Sequence, residues 1–219
     1  MNVYQKMRKA LRPTRIWLYD LFSNLTYWTI RFLKPPEIPK NADNKVLIHL
    51  GCGEQDDSRY INVDGVPFPH VDFVGRVEKL PMFQNEYADL IYACHVLEHI
   101  SHQKLPDVLR EWQRVLKKDG VLRLSVPDFD KVIAMYESEG KSIPRTLPPL
   151  MGTHENGEFD FHRAIFNKEY LSTLLKEAGF RETREWDPET APYYSFSDWA
   201  GPRKIHGTYA ISLNLEGIK

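Results

Sequence analysis

The sequence has only two cysteines, Cys52 and Cys94, so it contains no framework of disulfide bonds. Its net charge of −1 excludes a chain that binds polyanions over its whole surface. It lacks internal repeats, low-complexity tracts, and an apolar N-terminal stretch followed by a small-residue cleavage site. These absences predict one globular domain with an appendage, and we expect a cytoplasmic protein.

A long uncharged apolar run is also missing, even from the aromatic-rich residues 16–33. A membrane-spanning helix needs about 20 residues that are nearly free of charge, and polar residues interrupt this segment. Residues 1–40 carry a net charge of +6, against −7 for the rest. We therefore expect a basic amphipathic helical arm and linker over residues 1–40 and a main domain over residues 41–219. Whether residues 1–34 lie peripherally on the inner face of a membrane, pack on the domain or form a dimer stays open.

Strand-like and helix-like segments alternate after the prolines of the linker. Apolar runs predict seven strands, at residues 45–50, 60–63, 71–74, 88–93, 121–126, 181–186 and 209–215. Apolar spacing predicts helices over residues 103–118 and 129–138 and from Asn167 to residue 178, with Asn167 as the cap. This alternation favours a parallel sheet that is covered on both faces.

Two glycines, Gly51 and Gly53, follow the first predicted strand, and Asp64 follows the second. Open α/β sheets bind ligands beyond the carboxyl ends of their strands, and glycine lets a ligand approach the backbone closely. A carboxylate at the end of the second strand can accept hydrogen bonds from both hydroxyls of a ribose. The pattern is not G-x-G-x-x-G and no Lys-Ser/Thr pair follows it, which disfavours a pyrophosphate or a triphosphate. Together these features predict a nucleoside-bearing cofactor.

Five stretches follow one another in an order that is more specific than any of them alone. They are HLGCG at residues 49–53, EKLPM at 78–82, ADLIYACHVLEH at 88–99, LREWQRVLKKDG at 109–120 and VLRLSVP at 121–127. Over residues 45–180 this order resembles the class I S-adenosylmethionine-dependent methyltransferases, in particular the methyltransferase type 11 group. The resemblance implies a Rossmann-like fold: a doubly wound, mostly parallel seven-stranded sheet whose last strand is antiparallel. It also implies S-adenosylmethionine as the cofactor.

The resemblance further implies that the glycine loop holds the methionine part of the cofactor, that Asp64 holds the ribose, and that residues 76–78 lie near the adenine. The implied contact residues are His49, Gly51, Cys52, Gly53, Asp64, Arg76, Val77, Glu78, Ala93 and His95. Two of them depart from the family pattern, since His49 and Arg76 stand where the family commonly has acids. The link between the first two strands, of about ten residues, also leaves little room for the usual helix.

Histidines are the candidate catalytic residues. Methyl transfer from a sulfonium needs alignment above all, and a general base helps when the acceptor is a hydroxyl. Histidine suits this role because it titrates near neutral pH. His95 follows the fourth strand directly, His99 lies close behind it, and His154 and His162 lie in a polar, aromatic stretch at residues 152–166 that would cover the pocket.

Residues 95–99 also spell H-x-x-E-H, which is a zinc-protease pattern. That chemistry needs both histidines on one helix together with a third ligand, and here the first histidine directly follows a strand. No third ligand is evident in the sequence, so we predict no metal.

The aromatic residues 187–207 either stack on a sugar or cover the sheet, and their few basic residues predict no binding of nucleic acid. We therefore expect a methyltransferase that acts on a hydroxyl or an amine of a small molecule or glycan. The alternative is a non-catalytic binding module on the same fold, with or without recruitment to a membrane. The sequence does not determine the oligomeric state.

Overall fold

The computed structural model describes residues 41–154, 160–201 and 209–219, and the predicted arm of residues 1–40 lies outside them. The strands in these ranges are β1 (Leu47–Leu50), β2 (Ile61–Asp64), β3 (Phe73–Val74), β4 (Ala88–Cys94), β5 (Leu116–Pro127), β6 (Glu182–Glu185) and β7 (Ser212–Ile218). The helices are α1 (Leu105–Val115), α2 (Phe129–Ser138), α3 (Ile143–Met151) and α4 (Lys168–Glu177), with short 3-10 helices at Leu97–His99 and His102–Lys104. None of the helices in the described ranges has the length and apolar character needed to span a bilayer.

The strands form one sheet in the order β3-β2-β1-β4-β5-β7-β6. Strands β1 to β5 pair in parallel, and β7 runs antiparallel to both β5 and β6. The predicted doubly wound, mostly parallel seven-stranded sheet is thereby confirmed. Strand β1 lies at the point where the strand order reverses, and the crevice beyond its carboxyl end is where such sheets bind ligands.

One face of the sheet packs against α1 and α4. Alternate residues of β1, Ile48 and Leu50, point to this face and share a buried core with Trp112 of α1 and Leu171 of α4. The period-2 alternation of a strand sends the residues between them to the opposite face. This face carries most of the apolar core and fixes the position of β1.

The opposite face is covered by an aromatic layer, which consists of Tyr60, Tyr92, Trp186, Tyr193, Tyr194 and Phe196. Phe196 lies parallel to Tyr92, with ring centroids 5.0 Å apart and an interplanar angle of 6°. The indole nitrogen of Trp186 donates to the carbonyl of Leu124, and the Tyr92 hydroxyl donates to Asp198. Residues 51–60, which join β1 to β2, contain turns and no helix. Part of the β6–β7 connection therefore covers a face that a helix would otherwise protect.

One predicted helix was too long, and one observed helix was not predicted. The helix predicted to reach residue 118 ends at Val115, because Leu116 pairs with Ala88 and the chain enters β5 there. The helix that was not predicted is α3, whose sequence contains three prolines. Proline fits the first turn, where no amide hydrogen is needed, and two further prolines are tolerated near the end of this short helix.

The aromatic layer generates a stability prediction. Replacing Phe196 by alanine removes the ring that contacts His49, Tyr60 and Tyr92, and we expect the free energy of unfolding to fall by about 2–3 kcal/mol. Urea denaturation measures this loss. The control is Tyr170→Ala on the exposed side of α4, which we expect to cost less than about 1 kcal/mol. Equal losses for both variants would contradict the packing role of the layer.

Candidate active site

The glycine loop after β1 contains two glycines whose surroundings differ. Gly51 and Gly53 both have positive φ, of 64° and 54°, which disfavours residues with a side chain. A Cβ on Gly51 would lie only 2.3 Å from Cγ2 of Val96, so this position brings the loop directly against the chain that follows β4. A Cβ on Gly53 would meet nothing within 4 Å. The backbone of Gly53 therefore borders open space into which a ligand can fit.

Asp64 at the end of β2 closes this loop. One carboxylate oxygen accepts from the backbone amide of Gly53 and the other from that of Val66, each at 2.7 Å. Burial raises the pKa of Asp64, and the bonds from these two amides oppose that rise. An ionised carboxylate has about four acceptor positions, so two amides leave capacity for further donors such as ribose hydroxyls.

Residues 75–78 lie beside this loop. The amide of Gly75 donates to the backbone carbonyl of Asp64 at 2.9 Å, and the carbonyl of Val77 accepts from the indole of Trp112 at 2.8 Å. Arg76 is paired with Glu78 at 3.0 Å. Burial alone would raise the pKa of Glu78, but the hydrogen bond from Arg76, a backbone hydrogen bond and the charges of Arg76 and Lys104 together outweigh it, and the pKa is lowered. Arg76, which stands where the resembled family commonly has an acid, is thus paired with an acid two residues later, Glu78.

The glycine loop, the end of β2 and residues 75–78 form one edge, here called the loop edge. The chemical groups along this edge match those of the expected cofactor. Gly53 and Gly75 both border open space, so backbone can approach a ligand at two points. Asp64 lies between them and keeps spare acceptor positions. A nucleoside with an amino-acid side arm needs acceptors for its ribose and close backbone approach along its length, and this edge offers both.

Three predicted contact residues have side chains that point into cores. The His49 ring lies on the aromatic face, with its centroid 4.6 Å from that of Phe196, and burial lowers its pKa to about 3. The thiol of Cys52 is buried beside Val71, and burial raises its pKa. Ala93 packs in the core on the helical face. These three side chains are therefore unavailable to the cofactor, and only their backbone atoms can take part.

His95 lies directly after β4 and has a strained backbone, with φ of 52°. Its amide donates to the Ser125 carbonyl at 2.8 Å, which ties it to β5. Its Nε2 lies 2.9 Å from the hydroxyl of Ser212, and its Nδ1 lies 3.2 Å from a carboxylate oxygen of Glu98. Burial lowers the pKa of His95 to about 3. Both ring nitrogens thus lie close to polar side chains of the protein, Ser212 on one side and Glu98 on the other.

A cluster of Glu98, His99 and His162 lies next to His95. Their ligand-type atoms all lie within 4.8 Å of one another, and the two imidazole centroids are 5.0 Å apart. Burial raises the pKa of Glu98 to about 8. Burial also lowers the pKa of His162, to about 4, and that of His99. The cluster thus contains Glu98 and His99 of the H-x-x-E-H pattern and, in place of His95, adds His162 as a third side chain of the metal-ligating type.

His162 reaches the cluster through backbone pairing. The amides of Arg163 and Ala164 donate to the carbonyl of Glu98 at 2.7 and 3.1 Å. Sequence analysis missed this grouping because residue 162 is far from the H-x-x-E-H pattern along the chain. His154 lies further out and is exposed, with its ring tilted by 47° against that of Phe161 and its Nε2 2.8 Å from the Met151 carbonyl.

Comparisons with known proteins identify the family and the fold of this chain. The model of a methyltransferase-domain family matches residues 16–185. A methyltransferase from Archaeoglobus fulgidus that depends on S-adenosylmethionine is 15% identical, with 94% of this chain and 100% of that chain covered and a TM-score of 0.50. A Methanosarcina mazei S-adenosylmethionine-dependent methyltransferase is 16% identical, with coverage of 86% and 96% and a TM-score of 0.50.

A third similar structure contains ligands. It is the 1,6-didemethyltoxoflavin-N1-methyltransferase of Burkholderia thailandensis with 1,6-didemethyltoxoflavin and S-adenosylhomocysteine bound. It is 17% identical, with 93% of this chain and 80% of that chain covered and a TM-score of 0.50. No curated protein matches the chain. Because the family match spans most of the chain and includes the glycine loop, Asp64 and the end of β4, the chain belongs to the methyltransferase-domain family and is a class I S-adenosylmethionine-dependent methyltransferase.

Proposed function

We propose that this enzyme methylates a hydroxyl, in preference to an amine, of a small molecule or glycan that binds beyond the carboxyl end of β4. The observation that carries this proposal is the cluster of Glu98, His99 and His162 just beyond the carboxyl end of β4. A hydroxyl must lose its proton to become a good nucleophile, whereas a neutral amine is nucleophilic already. Glu98 is buried and the two histidines are half-buried with lowered pKa values. Neutral imidazoles that can take up a proton are therefore more useful for a hydroxyl.

For the cofactor, we propose a site along the loop edge. Asp64 would accept from the ribose hydroxyls, the backbone of Gly51, Cys52 and Gly53 would border the methionine part, and residues 76–78 would flank the adenine. When bound, S-adenosylmethionine supplies an electrophilic methyl group attached to a sulfonium. The contact of Gly51 with Val96, the residue after His95, supports the placement of the acceptor cluster beside this site.

We propose different roles for the histidines. His95 would position Glu98, because its Nε2 lies 2.9 Å from the Ser212 hydroxyl and its Nδ1 faces a carboxylate oxygen of Glu98 at 3.2 Å. His162 and His99 would face the acceptor, with Nδ1 of each ring directed at a backbone carbonyl. His154 would lie at the outer edge of the acceptor site.

The cofactor site is tested by calorimetric titration with S-adenosylhomocysteine. We expect wild-type affinity in the micromolar range, and at least about tenfold weaker binding, or 1.4 kcal/mol, for Asp64→Asn and Gly53→Ala. The first change removes an acceptor oxygen, and the second adds a Cβ where φ is positive and a ligand would lie. Asp89→Asn is the matched control, because Asp89 binds Lys45 and Lys117 at the opposite end of β4. Folded Asp64→Asn protein that binds like wild type would contradict the proposed site.

The acceptor is tested by transfer of a labelled methyl group to panels of hydroxyl and amine compounds, including sugars and phenols. We expect transfer to hydroxyls, and a loss of about a hundredfold or more in His162→Ala, because general acid–base groups contribute on that scale. His102→Ala is the control, since His102 is exposed and lies outside the cluster. Methylation of amines alone, or an unaffected His162→Ala, would contradict this assignment.

We also propose that residues 1–34 contact an anionic membrane surface. This proposal is supported by the basic, amphipathic sequence of the segment, with a net charge of +6 over residues 1–40. Sedimentation with anionic vesicles should carry the full chain into the pellet at low salt and a chain without residues 1–34 into the supernatant. A full chain that stays in the supernatant at every salt concentration would contradict this contact.

A further inference from the structure

Three side chains of the metal-ligating type converge just beyond the carboxyl end of β4. The potential ligand atoms of Glu98, His99 and His162 lie within 4.8 Å of one another. Two imidazoles and one carboxylate form a donor set that suits Mn²⁺, Fe²⁺, Co²⁺, Ni²⁺ and Zn²⁺, while Mg²⁺ and Ca²⁺ prefer oxygen ligands. From this convergence we propose that Glu98, His99 and His162 form a binding site for one divalent transition-metal cation.

The first support is the state of the Glu98 carboxylate. Glu98 is 1% exposed, and neither carboxylate oxygen has a hydrogen-bond partner among the described residues. His95 Nδ1 lies 3.2 Å from Oε1 and makes no hydrogen bond with it. A buried carboxyl without partners is unfavourable as an anion unless it takes up a proton, coordinates a metal or pairs with a charge. A cation bound between the carboxylate and the two imidazoles would supply the partner that the Glu98 carboxylate oxygens lack.

The second support is the orientation of the two histidines. Nδ1 of His99 lies 3.3 Å from the Phe161 carbonyl, and Nδ1 of His162 lies 3.1 Å from the Pro149 carbonyl. A carbonyl only accepts, so each Nδ1 carries the hydrogen and each Nε2 keeps its lone pair. Metal-binding histidines are oriented in this way in most proteins, because the outer hydrogen bond fixes the ring and the tautomer. Both rings are therefore prepared to offer Nε2 to the same cation.

The third support is the rigid backbone around the site. Glu98 and His99 lie in the 3-10 helix Leu97–His99, and the Glu98 carbonyl is held by the amides of Arg163 and Ala164. The amide of His162 donates to the Met151 carbonyl at 3.1 Å, which ties this ligand to the end of α3. Ligands that are held by backbone pairing keep their geometry when the metal is absent, which lowers the entropic cost of binding.

The position of the site indicates a catalytic role for the cation, and this step rests on the proposed function. Three protein ligands leave coordination positions open, as in catalytic metal sites. When both histidines hold the cation they no longer act as bases; an acceptor hydroxyl in an open position would instead have its pKa lowered, so that its proton would pass to solvent at neutral pH. The acceptor oxygen would then form the new bond to the methyl carbon as the carbon–sulfur bond breaks, and the bonding electron pair would stay on sulfur.

Binding of Co²⁺ tests the site without any need for activity. The full chain, without a histidine tag and after chelator treatment, is titrated with Co²⁺ and followed by visible absorption and by calorimetry. We expect one Co²⁺ per chain and a rise in the melting temperature when the cation binds. We expect Glu98→Gln and His162→Ala each to weaken binding by about a hundredfold or more. Two variants are used because Glu98→Gln keeps the shape of the buried side chain.

His102→Ala is the matched control, because this histidine lies three residues beyond His99, is exposed, and is outside the cluster. It should bind Co²⁺ like wild type. The proposal is overturned if folded wild type binds no Co²⁺, if both cluster variants bind it unchanged, or if His102→Ala loses binding equally. The outcomes separate the two proposals: Co²⁺ binding that only the cluster variants lose supports the site even if no hydroxyl is methylated. Full methyl transfer by metal-free enzyme would overturn the catalytic task of the cation.

Discussion

The site depends on the hydrogen bonds that join the Asp64 carboxylate to the amides of Gly53 and Val66. Through them the side chain at the end of β2 organises the loop at the end of β1, and the Gly75 amide adds the segment after β3 through the Asp64 carbonyl. Three neighbouring strand ends are thereby held as one edge. This edge lies at the reversal of strand order, where an open sheet leaves a crevice, so the loop is fixed at the place where a ligand can enter.

A second constraint is the short link between β1 and β2. Residues 51–60 form no helix, and the face that they leave is covered by the aromatic layer from the β6–β7 connection. This explains why a histidine can stand at position 49, where the resembled family often has an acid. Position 49 faces the aromatic layer, and a neutral imidazole packs there, whereas burial of a carboxylate beside the rings would be costly. The presence of histidine in place of an acid at position 49 is therefore explained by the aromatic layer that covers this face of the sheet.

Much of the fold could be predicted from the sequence, because strand periodicity and glycine positions are local signals. Each predicted strand overlaps an observed one, and Asn167 caps α4 through its side chain as expected. The end of α1 could not be predicted, since Val115 and Leu116 are held by pairing with residues 87 and 88 from a distant segment. Helix α3 was hidden by its prolines, whose destabilising effect is small at a helix end.

The candidate site was only partly visible in the sequence. The placement of Gly51, Gly53 and Asp64 at strand ends could be predicted, because it follows from their positions relative to the strands. The direction of the Cys52 thiol could not be predicted, because a turn has no fixed period. The grouping of His162 with Glu98 depends on pairing across a long loop. The H-x-x-E-H pattern contains two residues of the cluster, and the third could have been sought among the histidines of the stretch that follows β5.

The central claim is that one continuous edge, formed by the loop after β1, the end of β2 and residues 75–78, holds the cofactor. Hydrogen–deuterium exchange with and without S-adenosylhomocysteine measures this most directly, because exchange reports on each of these segments separately. The account predicts that the ligand slows exchange in peptides covering residues 51–53, 64–66 and 75–78 together, while β6 exchanges as before. Unchanged exchange in these three segments, at ligand concentrations that saturate binding, would contradict it.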